Sequence, residues 1–257
     1  MLALYDRDER RDVDDPGMRR EVEDGVVRLV DQVGTDSMVV HSHLDALGAD
    51  AAIRREAAYF DRLGHNVEWK LYAHDEPQDL HERLLAQGFT AEEPDAIMAL
   101  DLSQVPPALL EPVPAFIRRL TDADMLKDAT RVHEAVWPEK KSKLAERLAY
   151  LLRNDSARLS VYAAYMDGEP VSAARIHFSD RSAFASLWGG ATLPGYRGRG
   201  LYTALLAVRL QEAKRRGARF LTIDAGPMSR PIVEKYGFRL LTFAQAHVRR
   251  IGSRSAP

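Results

Sequence analysis

The sequence predicts an α/β protein with a mixed, mostly antiparallel sheet flanked by helices. In each half of the chain a helical pattern ends at a glycine, Gly64 or Gly217, and leads directly into a strand-like run. Three successive apolar runs between residues 159 and 193 are joined by short polar turns, which is typical of antiparallel strands. Apolar residues make up 46% of the 257 positions, enough for packed cores.

Composition excludes several classes of function. The 36 basic and 38 acidic residues nearly cancel, and a net charge of −2 gives no general attraction for nucleic acid or an anionic membrane. The absence of cysteine excludes disulfides and thiolate sites and is typical of a reducing cytoplasm. We find neither a signal-peptide core nor a run of about 18 apolar residues. We therefore expect a cytoplasmic protein that binds neither nucleic acid nor membranes.

The first half alternates between helices and strands. Apolar residues recur at helical spacing from residue 18 to residue 33 and stop before Gly34, which predicts a helix. The elements expected after it are a strand at 38–41, a helix at 49–63, a strand at 67–72, a helix at 77–88 and a strand at 97–102.

A proline-rich segment separates the two halves. Regular helix and central strand are both incompatible with its four prolines, which are Pro106, Pro107, Pro112 and Pro114. We therefore expect one α/β domain at 1–105, a linker at 106–114 and a second domain at 115–257.

The second half begins with a strand at 116–120, a helix capped by Asp122 and a helix whose apolar face carries Leu144, Leu148, Leu151 and Leu152. The three meander strands follow. The remaining elements expected are a glycine-rich loop, a helix at 201–216, a strand at 219–224, a short helix ending at Gly237 and a last strand at 240–248.

The order of elements is similar in the two halves. The run from Gly64 to Phe89 parallels the run from Gly217 to Phe238, which suggests an internal duplication. Where the second half has its glycine-rich loop, the first half reads HSHLDALGAD, with two carboxylates that would repel a phosphate. The first half is thus expected to be a copy without the anion site.

The segment Arg197-Gly198-Arg199-Gly200 predicts an anion site. Its glycines let the backbone turn with N–H groups pointing inward, and the helix that follows adds the positive end of its dipole. Four or five charge-assisted hydrogen bonds at roughly 1.5 to 3 kcal/mol each could hold a diphosphate. The alternative is a strand-to-helix turn whose arginines are only solvated.

Two other phosphate-binding loops fit less well. A Walker loop requires GxxxxGK followed by Ser or Thr, and no segment matches it. A dinucleotide-binding loop is partly satisfied by Gly198, Gly200 and Asp224, but Thr203 stands at the third glycine. Only 33 residues follow Asp224, too few for the remaining units of a nucleotide-binding sheet.

The string ATLPGYRGRGLYTALL, followed by RFLTIDAGPMSRPIVEKYGF, resembles the acetyl-CoA signature of the GCN5-related N-acetyltransferase (GNAT) superfamily. The resemblance covers residues from about 115 to 250. It implies a GNAT fold, with a degenerate GNAT-like copy in the first half, and acetyl-CoA as donor. It also implies that the pantetheine contacts Ala191, Thr192 and Leu193, and that the pyrophosphate is held by Arg197, Gly198, Arg199, Gly200, Leu201 and Tyr202.

Three positions depart from that family's pattern. Tyr202 replaces a small residue, although binding requires only its backbone. The tyrosine that often protonates the departing thiolate in the family is Val233 here, and Tyr236 is the nearby substitute. The family's asparagine is Gly226 here, and Ser229 is the neighbouring polar residue that we add to the CoA-binding set.

The attacking amine must be neutral. At pH 7 deprotonation costs about 4.6 kcal/mol for a lysine-like amine of pKa about 10.4, and about 1.4 kcal/mol for an α-amine of pKa about 8. The candidate bases are Asp224, Glu134 and His177, acting directly or through water. Each has a structural alternative: a turn cap, an exposed helix position and a packed strand position, respectively.

Other groups of residues carry weaker predictions. His41 and His43 share a strand face without a third ligand, so no metal is expected. The run Lys140, Lys141 and Lys143 is a solvated helix start or a guide for an acidic substrate. The core of the first half is expected to hold the aromatic residues Tyr59, Phe60, Trp69 and Tyr72.

Two functions from different classes remain. The first is an acyl-CoA-dependent N-acetyltransferase that moves acetyl from acetyl-CoA to a small-molecule or peptide amine. The second is a non-catalytic acyl-CoA sensor or scaffold, which the absence of a family tyrosine at Val233 favours.

Overall fold

The computed structural model describes residues 1–137 and 144–251. The chain forms two compact units. Unit 1 comprises Met1–Ile97 together with the segment that begins at Leu240, and unit 2 comprises Met98–Arg239. Lys140, Lys141 and Lys143 lie outside the described residues. Within the described ranges, no helix combines the length and apolar composition needed to cross a membrane.

Unit 1 is a mixed sheet with helices. Its strands pair in the order β1-β2-β3-β4-β12, and β5 pairs with β12. All of these pairs are antiparallel except β3 with β4. The elements are α1 (Leu2–Tyr5), β1 (Met18–Glu23), β2 (Val26–Asp31), β3 (Asp36–Ser42), α2 (Ala49–Leu63), β4 (Asn66–Tyr72), α3 (Leu80–Ala86), β5 (Thr90–Ala91) and β12 (Arg239–Arg249); β6 (Asp95–Asp101) spans the boundary between the units.

The helix predicted between residues 18 and 33 is wrong, because this segment is the hairpin of β1 and β2. Asp24 at φ 44° and Gly25 at φ 79° form the two-residue turn, and Glu23 pairs with Val26 across it. Two consecutive left-handed residues suit the twist of a hairpin and interrupt a helix. All six residues of β2 are buried, so the strand lacks the alternation that would have distinguished it from a helix.

The core of unit 1 forms between α2 and the sheet. Phe60 from α2 and Trp69 from β4 are buried, and the Trp69 ring packs edge-on against Phe89 at 6.4 Å between centroids. Tyr72 is also buried and Tyr59 packs at the edge of this cluster. The aromatic residues of the first half thus fill its core, as predicted.

Unit 2 carries the predicted meander. Its strands pair in the order β7-β8-β9-β10-β11, antiparallel except for the parallel pair β10 and β11. The apolar faces of α4 and α5 cover this sheet. The elements are β7 (Ile117–Leu120), α4 (Leu126–Val136), α5 (Leu144–Asn154), β8 (Leu159–Met166), β9 (Glu169–Phe178), β10 (Phe184–Thr192), α6 (Leu201–Arg215), β11 (Phe220–Ala225) and α7 (Arg230–Lys235).

The two units share a strand–helix–strand motif. Each has a parallel strand pair connected through a 15-residue helix: β3 and β4 through α2, and β10 and β11 through α6. Each of these helices is followed by a left-handed glycine, Gly64 at φ 69° and Gly217 at φ 79°. The predicted duplication is therefore visible in the topology.

The boundaries of the compact units differ from those expected from sequence. The proline-rich segment belongs to unit 2, where Leu109 is buried and the Gln211 side chain donates hydrogen bonds to the carbonyls of Leu109 and Glu111. The last strand, β12, belongs to unit 1, where Ala244 pairs with Tyr72 of β4. Pairing between strands distant in sequence carries no local signal, so the periodicity of the last strand predicts its existence and not its partner.

Candidate functional site

The parallel strands β10 and β11 separate partway along their length. Their paired register runs from Phe184 opposite Phe220 to Leu187 opposite Ile223. Strand β10 continues to Thr192 on β9, with a bulge between Trp188 and Ala191. The two strands therefore diverge toward their carboxyl ends and leave a gap between them, which is where ligands of α/β sheets commonly bind.

Two consecutive glycines form the bulge in β10. Gly189 has φ 58°, and a Cβ there would overlap the Arg175 guanidinium and the His133 ring. A Cβ on Gly190 would lie 2.9 Å from Cε2 of Tyr202. Because side chains from three other elements lie in this space, a Cβ at either position would force neighbouring side chains to move.

The loop after β10 has the form of an anion site. Gly198 at φ 75° and Gly200 at φ 77° are left-handed, and Gly200 is the N-cap of α6. Among the described residues no side chain caps this helix end, and its first turn has no acidic residue. The first N–H groups of any helix lack acceptors within the helix. The N-terminus of α6 therefore offers backbone donors and a positive dipole end to a diphosphate.

The two arginines of the loop are exposed beside it. Arg197 donates from Nε to the carbonyl of Thr192 at 3.2 Å, which ties the loop to the end of β10. The Arg199 guanidinium lies over the Tyr196 ring at 5.1 Å. Both cations can thus contact phosphate oxygens without being buried.

Hydrogen bonds to β9 hold the segment expected to contact pantetheine. Ser172 donates to the carbonyl of Ala191 at 2.7 Å and pairs with the Thr192 hydroxyl at 2.8 Å. The N–H of Leu193 donates to the carbonyl of Val171 at 2.9 Å. The end of β10 is thus fixed on its β9 side, while its other edge faces the gap.

The predicted catalytic residues lie in different places relative to the gap. Asp224 is half-buried on β11, one residue beyond the last pair with β10, and so borders the gap. Glu134 is exposed on α4 and Tyr236 lies just after α7. Val233, at the position of the family's tyrosine, is completely buried.

His177 lies inside the sheet. Within β9 it pairs with Leu159 on one side and Ser186 on the other. Burial, aided by the charge of Arg175, holds its pKa well below the ordinary value, so the ring is neutral at pH 7. Its Nε2 is buried without a hydrogen-bond partner among the described residues. This placement matches packing in the meander.

His133, the neighbour of Glu134, lies at the site and was not among the residues predicted from the sequence. Burial and the charge of Arg175 lower its pKa to about 4. The ring lies against Gly189, since a Cβ on that glycine would be 2.5 Å from its Cε1. A neutral imidazole therefore lies against the bulge of β10. The sequence held a signal for it, because position 133 is four residues after the buried Ala129 and so lies on the same helix face.

Two further sets of residues were considered from the sequence: Ser229 as a CoA-binding residue, and His41 with His43 as metal ligands. Ser229 is the N-cap of α7 and donates to the carbonyl of Gly226 at 3.2 Å. His41 is half-buried with its pKa lowered by burial to about 4, whereas His43 is exposed. In the described part of the chain, no group of three or more His, Cys, Asp or Glu side chains is arranged to hold a metal ion.

Unit 1 has a different arrangement at the equivalent helix. The Asp45 carboxylate accepts a hydrogen bond from the N–H of Gly48, the N-cap of α2, at 2.6 Å. Asp50 adds a second negative charge in the first turn. Two carboxylates of the chain thus lie beside the N-terminus of α2, the end of a helix that attracts anions.

Comparison with known proteins agrees with this geometry. The model of the acetyltransferase (GNAT) family matches residues 123–238. A GCN5-related N-acetyltransferase from Kribbella flavida has a similar fold, with a TM-score of 0.66, 18% identity and coverage of 92% of this chain and 91% of that one. For one from Sphaerobacter thermophilus the TM-score is 0.59, identity 17% and coverage 89% and 81%.

A tandem GNAT protein from the clavulanic acid biosynthesis pathway is similar over 95% of this chain and 86% of its own, with a TM-score of 0.60 and 14% identity. The GNAT-like fold therefore extends through the first half, and the predicted fold class is confirmed. No curated protein sequence matches the chain. Residues 123–238 thus match the acetyltransferase (GNAT) family model, in the part of the chain that carries the glycine-rich loop and the gap.

Proposed function

We propose that this protein transfers an acetyl group from acetyl-CoA to a primary amine, which attacks the thioester directly in a ternary complex. The observation that carries this proposal is the gap between β10 and β11 beside the uncapped N-terminus of α6. A diphosphate at α6 would place its attached pantetheine arm along the free edge of β10, past Leu193, Thr192 and Ala191. The reacting thioester would then lie near the glycine bulge.

The groups near the bulge favour an amine of low pKa. Strand β10 carries no carboxylate, Glu134 is exposed, and the His133 pKa of about 4 leaves its ring a weak base. Deprotonation of an α-amine at pH 7 costs about 1.4 kcal/mol, so transfer of its proton through water to Asp224 suffices to activate it. We therefore propose a small-molecule or peptide α-amine as acceptor, with Asp224 as the base through water.

One acetyl-CoA is expected per chain. A phosphate at the N-terminus of α2 in unit 1 would meet two negative charges, because Asp45 accepts from the N–H of the N-cap Gly48 and Asp50 lies in the first turn. The N-terminus of α6 has neither feature. CoA binding is thus proposed for unit 2 alone.

A CoA-binding sensor without catalysis is the second candidate function. The valine at position 233 favours it, because the tyrosine that often protonates the departing thiolate in the family is absent there. This alternative shares the binding site with the enzyme and differs only in turnover.

Calorimetric titration with acetyl-CoA tests the site, and thiol release in the presence of an amine panel tests the chemistry. The panel pairs α-amines with ε-amines of otherwise similar structure. Binding at one site per chain with thiol release on an α-amine supports the transferase. Binding without thiol release on any amine supports the sensor. Binding of NADH instead of acetyl-CoA would refute both.

A further inference from the structure

A cationic side chain lies against the glycine bulge of β10. A Cβ on Gly189 would overlap Nη1 of Arg175, so the guanidinium is in contact with the chain at this position. Arg175 belongs to β9, pairs with Trp188 of β10 and is half-buried. The place proposed for the thioester is thus next to a positive charge.

The strand register places a carboxylate on the same face as this cation. Trp188 and Asp224 directly follow Leu187 and Ile223, the last residues that pair between β10 and β11. Because side chains alternate along a strand, Trp188 and Asp224 lie on one face of the sheet, and Arg175 shares this face as the partner of Trp188. The order across the face is therefore cation, aromatic ring and carboxylate.

Two tryptophans add apolar surface near the bulge. Trp188 and Trp137 are each 38% exposed. Trp137 directly follows α4, and its ring centroid lies 5.3 Å from that of His133, the ring that contacts Gly189. Binding sites for small molecules commonly combine such aromatic surfaces with a few charged groups that fix the orientation of the ligand.

The acetyl donor brings no anion to Arg175. The phosphates of acetyl-CoA are proposed to lie at the N-terminus of α6, and neither the pantetheine arm nor the acetyl group is charged. Of the two substrates, the acceptor is therefore the one that can place an anion beside Gly189. A planar guanidinium binds a carboxylate through two parallel hydrogen bonds, which fixes the orientation as well as the position of the bound group.

We propose that the acceptor is an α-amino acid whose free carboxylate is bound by Arg175 and whose amine points toward Asp224. This inference rests on the transferase function proposed above and names the class of its acceptor. Trp137 and Trp188 contact the side chain of the amino acid, so apolar side chains are favoured. Arg175 determines specificity and takes no part in proton transfer.

The charge of Arg175 also favours the neutral form of a nearby amine. Burial is the main cause of the lowered pKa of His133 and of His177, and the charge of Arg175 lowers both further. A free carboxylate makes the neighbouring α-amine more basic, and its ion pair with Arg175 offsets this effect. Binding of the carboxylate is therefore compatible with the neutral amine that attack on the thioester requires.

Two other arginines of unit 2 are placed differently. Arg209, on α6, is only 1% exposed, and its Nε and Nη1 donate to main-chain carbonyls. The Nε of Arg158 donates to the carbonyl of Phe178, the last residue of β9, at 3.2 Å. Arg175 is therefore the residue whose substitution tests the inference.

The first measurement compares amino acids with their amides at saturating acetyl-CoA. Phenylalanine, leucine and alanine are each paired with the corresponding amide, and thiol release gives kcat/KM. The α-amine of an amide is less basic and therefore more often neutral at pH 7, so reactivity alone favours the amide. We expect kcat/KM to be at least about tenfold higher for each acid, as one charge-assisted hydrogen bond allows, and higher for phenylalanine than for alanine.

The second measurement compares Arg175→Gln with Arg181→Gln. Both variants lose one positive charge, but Arg181 is exposed in the turn between β9 and β10, at the end away from the bulge. We expect Arg175→Gln to lower kcat/KM for the acids about 10- to 150-fold and to change that for the amides less than about threefold, with an unchanged Kd for acetyl-CoA. Arg181→Gln should keep the preference for acids. Arg175→Lys retains the charge without the planar fork and should lie between them.

The outcomes separate this inference from the function on which it rests. Equal or faster thiol release with the amides would leave the transferase intact and refute the carboxylate site. If Arg175→Gln lowers kcat/KM for acids and amides alike, Arg175 has a structural role and the inference is likewise wrong. If Arg175→Gln does not fold, the preference of the unsubstituted protein and of Arg175→Lys decides. If the unsubstituted protein binds acetyl-CoA and releases no thiol with any amine, both proposals fail.

Discussion

Substitution of Gly200 by alanine tests the anion site most directly. Gly200 has φ 77° and is the N-cap of α6, and a Cβ added to it meets no atom within 4 Å. The substitution therefore acts through the backbone alone. An alanine held in the left-handed conformation is strained by about 1 to 2 kcal/mol, and this strain is relieved only if φ rotates toward negative values.

That rotation redirects the first N–H groups of α6. Loss of one charge-assisted hydrogen bond to phosphate costs roughly 1.5 to 3 kcal/mol. Since each 1.4 kcal/mol is tenfold in affinity, the Kd for acetyl-CoA should rise about 10- to 150-fold. Isothermal titration calorimetry measures the Kd, and urea denaturation measures the accompanying change in stability.

Two glycines provide matched controls. Gly195 lies in the same loop with open space at Cβ and without a positive φ, so Gly195→Ala should bind acetyl-CoA normally. Gly168 has φ 84° and open space in the turn between β8 and β9, so Gly168→Ala should lose similar stability and keep its affinity. If Gly200→Ala binds normally, or if Gly195→Ala is equally weakened, the diphosphate does not lie at α6.

Three further predictions concern stability, measured by urea denaturation. Gly25→Ala should lower the free energy of unfolding by more than about 2 kcal/mol, because its Cβ would lie 2.5 Å from a backbone carbonyl oxygen. Gly64→Ala is also at positive φ but in open space, so it should lower the free energy of unfolding by about 1 kcal/mol. Glu212→Ala removes a buried acceptor of two hydroxyls and should cost about 3 to 5 kcal/mol, against less than about 0.5 for the exposed Glu234→Ala; equal losses would contradict this. The pKa of His133 is lowered to about 4 in the folded state, so folding favours its neutral ring. Its contribution to the free energy of unfolding is therefore complete above about pH 6.5 and is lost as the pH falls toward 4, by up to about 1.4 kcal/mol per pH unit. His133→Asn should flatten that slope, and an unchanged slope would exclude a neutral folded-state His133.

Elements defined by local pattern could be predicted from sequence. Helices α2 and α6 end beside Gly64 and Gly217 as expected, because a left-handed glycine is a local stop signal. The helix predicted from residue 18 to residue 33 was wrong, because every residue of β2 is buried and the strand therefore lacks the alternation that marks a strand. The pair Asp24-Gly25 is the local signal that predicts this hairpin.

The sequence by itself determined the backbone half of the site. The glycines of the loop and the helix that begins at Leu201 require only local conformation, and local conformation is written in adjacent residues. Side-chain neighbours in the cleft were decided by the tertiary structure alone. His133 meets Gly189, and Tyr202 meets Gly190, through packing of elements distant in the chain. The partner of β12 was decided in the same way, because strand pairing depends on contacts between distant segments, which no local pattern specifies.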